Sequence, residues 1–238
     1  MWTCSHVWMG AVAACLAAMC LGCQPGGTEK PQKWAAQGGA GAGNQGTPKG
    51  GATGEKSSGK AVASVQEPPP PPTIPNVRLS EALLATCLVR VGDTMPDADL
   101  PDFAGNVVAL RSLSGQKLTV VCFWAGGNSK HNEQSAIVLL EDLEKEIFEP
   151  CAAKGVQVIG VNEKEMAQTA GPLVSQAGAK FPNLLDAQGA LLSKVATEKI
   201  PRIYLLDTAG KILWFDVEYS RSTRRELLQA VRVALGEI

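Results

Sequence analysis

Hydrophobic positions divide the chain into three unequal parts, and only the last has the periodicities of a folded domain. From Val7 to Gly22 nearly every residue is apolar; from Gln24 to about Pro75 the pattern dissolves into Gly, Ala, Gln, Lys, Ser and Pro. Beyond Val77, apolar residues recur at strand or helix spacing. The expected organisation is therefore a leader over 1–23, a tether over 24–76 and a domain over 77–238. Within the domain, Leu79–Leu88 predicts a short helix capped by Ser80, with Leu79, Leu83, Leu84 and Leu88 on one side. Met95–Leu110, broken at Gly105-Asn106, predicts a small hairpin. Leu118–Trp124 is apolar on both faces, the mark of a strand covered on both sides. Asn132–Phe148 repeats Ala136, Leu139, Leu140, Leu143 and Ile147 at helical spacing, and Val156–Val161 reads as a second strand. Strand, helix and strand at this distance imply a right-handed parallel crossover. Helical stretches at Met166–Ala177 and Ala190–Ala196 follow, then a hairpin of Ile203–Asp207 with Ile212–Phe215. A closing helix, Ser222–Leu235, should bury Leu227, Leu228, Val231 and Leu235.

Composition narrows the functional classes. A chain of 238 residues with net charge −1 and 45% apolar residues fits one ordinary domain with additions, and nothing in the charge balance points to nucleic acid. Two His and no Cys-x-x-Cys pair beyond Cys20-Leu21-Gly22-Cys23 in the apolar N-terminal run leave a domain without the usual tetrahedral ligand sets, so neither metal nor other cofactor is expected. The seven cysteines are not a disulfide framework: Cys4, Cys15, Cys20 and Cys23 crowd the N-terminus, and only Cys87, Cys122 and Cys151 fall in the domain.

The Val7–Gly22 run is shorter than the roughly 20 residues a spanning helix needs, so it reads as a secretory core segment. Its end, Leu21-Gly22-Cys23, resembles the lipobox of bacterial lipoprotein signals, which implies lipidation of Cys23 and a membrane as partner. An uncleaved anchor and an ordinary signal peptide are the alternatives. The tether cannot bury enough apolar surface to offset its ordering entropy; some fifty flexible residues reach on the order of 40 Å. Within it, Pro68–Pro72 is read as a stiff spacer.

The candidate chemistry sits where Val120–Trp124 meets Ala125-Gly126-Gly127-Asn128-Ser129-Lys130-His131, a strand feeding a helix through a tight turn. Such turns offer unpaired N–H groups and the positive end of a helix dipole. Several stretches carry a family likeness. They are Val91-Gly92-Asp93 with Pro96, Leu118–Ala125 ending Phe-Trp-Ala, Gly155–Asn162, Phe181-Pro182 with Leu184-Leu185-Asp186, and Ile200-Pro201 followed by Tyr204–Ile212. In order and spacing they resemble the extracytoplasmic branch of the thioredoxin superfamily, the TlpA-like, redoxin or AhpC/TSA-type domains. The resemblance covers roughly Val91 to Leu235 and implies an α/β thioredoxin-like fold, a central mixed β-sheet flanked by helices.

The resemblance also says what the turn should hold. Family members carry Trp-Cys-x-x-Cys or a close variant there, the first Cys attacking a disulfide and the second resolving it. In this chain the two positions fall on Asn128 and His131. Disulfide exchange needs sulfur, so the motif is degenerate. A peroxidatic Cys with its Pro- and Thr-bearing loop is not visible there either. Asn128 is read as a helix N-cap, a task Ser129 could equally perform, and His131 as an exposed polar residue. Cys122 is expected inside the central strand, protonated and inert. Cys87 and Cys151 are either free thiols, a structural disulfide or a relocated redox pair. By the resemblance, Pro201 is the family's cis-proline, which exposes the backbone of Ile200 to a bound peptide and lies, with Trp124, against the turn. The expected function is a membrane-tethered, exported module that binds an extended peptide or protein partner without thiol-disulfide activity. The alternative is a thiol oxidoreductase or peroxidase using Cys87, Cys122 or Cys151.

Overall fold

The structure, a computed structural model of the chain, describes residues 72–238. The expected leader, Cys23 and nearly all of the tether lie outside them. Packing begins slightly upstream of the expected boundary: Ile74 and Val77 both lie against the core, and Gln229 Nε2 donates to the Thr73 carbonyl at 3.1 Å.

The elements run α1 (Glu81–Ala85), β1 (Asp99–Pro101), β2 (Val107–Ala109), β3 (Leu118–Trp124), α2 (Lys130–Leu143), α3 (Glu149–Cys151), β4 (Val156–Glu163), α4 (Ala167–Ala177), β5 (Asn183–Asp186), α5 (Leu192–Val195), β6 (Arg202–Leu206), β7 (Ile212–Val217) and α6 (Arg221–Ala234). Five strands form the main sheet in the order β5-β4-β3-β6-β7. The first three are parallel, whereas β6 and β7 are antiparallel. β1 and β2 make the small separate hairpin read from the sequence.

β3 is buried along its whole length because it feeds two cores at once. Val120, Cys122 and Trp124 point to one face, under α2, α4 and α6; Val121 and Phe123 point to the other, with α1, the β1-β2 hairpin and α5. Strand alternation thus converts one apolar heptapeptide into the shared wall of a helix-sheet-helix sandwich. Among the described residues no helix is long and apolar enough to cross a membrane.

Five details depart from the sequence reading. Helix α2 starts at Lys130, and Ser129 rather than Asn128 is its cap, its hydroxyl accepting from Asn132 N at 3.2 Å. After Leu143 the helix widens into a π-helical turn, Glu144–Phe148, which still leaves Ile147 buried. Leu88 is 53% exposed: α1 ends at Ala85, so the helical spacing that would place Leu88 beside Leu84 does not extend that far. β5 has no counterpart among the expected elements, because four residues with polar ends behind Pro182 show no readable alternation. In α6, Leu227 and Val231 are buried as expected, while Leu228 and Leu235 are only partly covered.

Candidate functional site

β3 ends at Trp124, whose indole lies on the α2 face of the sheet and is wholly buried. Trp124 Nε1 donates to Asn183 Oδ1 at 3.2 Å, and Asn183 Nδ2 donates to the Phe181 carbonyl at 3.0 Å. An apolar floor is thereby fixed by a polar tie to the neighbouring strands. Gly127 takes φ +68°, a left-handed conformation that costs a side chain roughly 1 kcal/mol. The chain then reverses into α2, capped by Ser129. Asn128 and His131 are both exposed, and among the described residues no hydrogen bond involves the Asn128 side chain.

One carboxylate governs this turn, and nothing in the local residue pattern points to it. Glu165, in the loop after β4, accepts from Gly126 N at 2.9 Å and Gly127 N at 2.8 Å; Asn162 Nδ2 donates to it at 2.7 Å. The turn N–H groups ahead of the helix are therefore occupied by the protein's own anion. Asn162 and Glu165 are local to one another, but their meeting with Gly126 is a contact across strands that spacing could not reveal.

Beside the turn, the Ile200-Pro201 peptide bond is cis. Glu218 N donates to the Pro201 carbonyl at 2.8 Å, and Arg202 Nε to the Lys199 carbonyl at 2.7 Å. Among the described residues, neither the N–H nor the carbonyl of Ile200 enters a hydrogen bond. The three described non-glycine residues with left-handed backbone, Lys164, Lys199 and Glu218, lie in the loops after β4, before β6 and after β7, at the sheet end where β3 finishes. Such conformations persist only where surrounding contacts fix them, and they gather at functional ends of folds.

Between α2 and Ile200-Pro201 runs an open groove of about 580 Å³. Trp124, Ala136 and Leu139 supply apolar lining, Ile200 and Pro201 contribute from β6's approach, and His131, Gln134, Glu218 and Tyr219 bring polar groups. The structure thus brings together Trp124, His131, Ile200 and Pro201, whereas Asn128 is not among the lining residues. Tyr219 was not foreseen. Its hydroxyl donates to Asp142 Oδ2 at 2.9 Å, and both burial and that carboxylate push its ionisation upward.

None of the three described cysteines lines the groove. Cys87, Cys122 and Cys151 are all buried and free. Burial alone pushes the Cys122 thiol far up; burial raises Cys151 too, against a smaller opposing pull from Lys154. Cys87 packs in the core on one face of the sheet and Cys151 in the core on the other, so they are not paired. Among the described residues no cluster of His, Cys, Asp and Glu could hold a metal ion.

The fold has known relatives. The model of the AhpC/TSA family matches residues 91–215, just over half of the chain. The thiol-disulfide oxidoreductase ResA of Bacillus thuringiensis and that of Bacillus anthracis are each 25% identical over 125 residues, covering 52% of this chain and 68% of the relative. Among solved structures, a candidate thiol:disulfide interchange protein DsbE from Chlorobium tepidum superposes with a TM-score of 0.55 at 26% identity, over 62% of this chain and 99% of that one. A candidate protein disulfide isomerase from Bacteroides thetaiotaomicron gives 0.56 at 24% identity, over 64% and 94%. These matches make the thioredoxin-like sandwich a shared architecture.

Proposed function

We propose that this chain, which belongs to the AhpC/TSA family, is a membrane-tethered, extracytoplasmic thioredoxin-fold protein that binds an extended segment of a partner and does not exchange disulfides. The observation that carries this reading is a groove with a docking wall and no sulfur. Asn128 and His131 stand at the two motif positions, and none of the three domain cysteines lines the groove. Exchange requires a thiolate that can reach the disulfide, and burial opposes ionisation of Cys122 and Cys151.

The occupant is argued from what the wall leaves unpaired. An extended peptide can pair with the N–H and carbonyl of Ile200 as a strand pairs with a sheet edge, and place an apolar side chain toward Trp124 and Leu139. Among the described residues Glu218 is the one carboxylate lining the groove, so a Lys or Arg beside that apolar residue is favoured. Tethering and export rest on the leader and on Cys23, as read from the sequence.

Two measurements on the full chain test the proposal. In an insulin-reduction assay it should give no turnover above the chemical reductant alone; robust turnover lost on Cys151→Ser or Cys87→Ser would establish the oxidoreductase alternative instead. In a tryptophan-fluorescence titration, a peptide with alternating apolar and lysine residues should bind, and Glu218→Lys should weaken it severalfold. Absence of binding at millimolar peptide would refute the groove.

A further inference from the structure

The closing helix α6 presents a face that the groove does not use. Half of the chain's eight arginines lie in this one helix, at Arg221, Arg224, Arg225 and Arg232, and it holds no lysine. At about 100° per residue, Arg221, Arg225 and Arg232 fall within about 40° of one another and form a stripe about 16 Å long. All three are exposed, on the side opposite the buried Thr223, Leu227, Ala230 and Val231. Among the described residues none of the three forms an ion pair with a carboxylate. Arg224 shows the contrast, since it pairs with Asp142 of α2 at 3.1 Å and with Glu146 of the π-helical turn. The one carboxylate within α6, Glu226, is half-buried and sits about a third of a turn off the stripe.

A row of unneutralised guanidinium groups fits a partner of opposite charge, and three features identify it. Guanidinium forks match phosphate oxygens two at a time, which an ammonium cannot do, so a stripe of arginines alone suits a surface of phosphate groups. The chain also enters the domain at this stripe. Gln229, between Arg225 and Arg232, donates to the Thr73 carbonyl at 3.1 Å, and Ile74 packs on the α2-face core. The residues upstream of Thr73 hold the segment read as tether and anchor, so the link to a membrane starts at α6. Finally, Leu227, Ala230 and Val231 are already in the core. The helix can therefore lie on headgroups but has no apolar face left to insert between them.

We propose that the outward face of α6 is a docking surface for the headgroups of anionic phospholipids. Each arginine at an anionic bilayer strengthens binding about fivefold, so three together favour it about a hundredfold over a neutral one. Anchoring the same chain nearby keeps the headgroups at high local concentration, and that makes so modest an attraction sufficient to hold the domain against the bilayer. No groove-lining residue belongs to the stripe, so lipid contact occupies none of the groove's own side chains. The local-concentration step rests on the membrane-tethered reading above; the charge stripe does not.

The test mixes the full chain with vesicles of phosphatidylcholine alone or of equal parts phosphatidylcholine and phosphatidylglycerol. Phenylglyoxal then modifies accessible guanidinium groups, and peptide mass spectrometry maps the adducts. Arg221, Arg225 and Arg232 should react severalfold more slowly on the anionic vesicles than on the neutral ones. Arg90 and Arg111, exposed beside residues of the other core, should not change. The protection should vanish at about 1 M salt, where the screening length falls to about 3 Å. Arg225→Gln, on the solvent face, should weaken the protection of Arg221 and Arg232 about fivefold. Equal reactivity on the two vesicles, equal slowing at Arg90 and Arg111, or protection by polyglutamate but not by anionic vesicles overturns the docking surface. Flotation with the neutral vesicles reads the anchor separately: a chain that does not float refutes the tethered reading alone, and the footprint on anionic vesicles still decides the stripe.

Discussion

Replacing Gly160 by alanine should destabilise the domain through the groove floor and not through its own strand. Gly160 sits in β4 between Cys122 of β3 and Asn183 of β5. A Cβ there would meet Asn183 Oδ1 at 2.0 Å, Asn183 Cγ at 2.8 Å and Trp124 Nε1 at 3.1 Å. The first two distances are impossible contacts, so the buried Asn183 amide has to move, and it is the acceptor for Trp124 Nε1. Forcing a group into a packed core costs about 1–3 kcal/mol. Leaving a buried indole N–H without its acceptor costs about 1–3 kcal/mol more, and the reduced freedom of the unfolded chain returns about 0.4–1 kcal/mol. The expected loss is therefore about 2–5 kcal/mol, a large part of the roughly 5–15 kcal/mol that holds a domain together. It corresponds to a fall in Tm of about 4–20 °C at this size. Urea unfolding followed by far-UV circular dichroism measures it, with an unchanged slope indicating that only stability moved. The mechanism also predicts non-additivity: in an Asn183→Ala background the clash partner is gone, and Gly160→Ala should cost less than about 1 kcal/mol. A single-variant loss below about 0.5 kcal/mol, or full additivity in the pair, would refute the reasoning.

Two further predictions concern the ends of the fold that shape the groove. Glu165→Ala strips the acceptor from Gly126 N, Gly127 N and Asn162 Nδ2, so it should cost about 1–3 kcal/mol and speed amide exchange at both glycines; unchanged exchange would mean that the carboxylate does not hold the turn. Near α6, the hydrogen bonds from Arg224 hold the Glu146 carboxyl below its ordinary value against an opposing push from burial. A folded value below the unfolded one of about 4.3 means that the pair's stabilisation is present above that pH and is lost as pH falls through the folded value. Arg224→Met should remove that part of the acid sensitivity, an effect below about 1 kcal/mol for a pair partly open to solvent. Asp216 works in the opposite sense, since burial raises its carboxyl and its ionisation costs stability as pH climbs from about 3.9 toward the folded value. An identical pH profile for wild type and Arg224→Met would count against the assignment.

Local chemistry decided much of this protein. The doubly apolar run Leu118–Trp124 could only be a strand covered on both faces, and the spacing of Ala136, Leu139, Leu140 and Leu143 required a helix laid on one of them. The order of elements then gave the thioredoxin-like sheet, and by the family resemblance the same string placed Asn128 and His131 at the expected motif positions. Those features are legible because periodicity and residue identity are properties of neighbours in the chain. Tertiary structure decided whatever depends on residues distant in sequence. Choosing Ser129 over Asn128 as the cap depended on the backbone at a Gly-Gly turn, and β5 existed only because β4 was there to pair with it. Glu165 meets Gly126 across 39 positions and Arg202 meets Cys87 across 115, so neither contact leaves a mark in local pattern. The turn that the family resemblance presents as an emptied redox motif is, in three dimensions, one side of a groove: its N–H groups are claimed by Glu165, and on the opposite wall the Ile200 backbone has no hydrogen-bond partner among the described residues. Chain folding alone could set the two side by side, because burying β3 from both faces brings the loops after β4, before β6 and after β7 to the same end of the sheet.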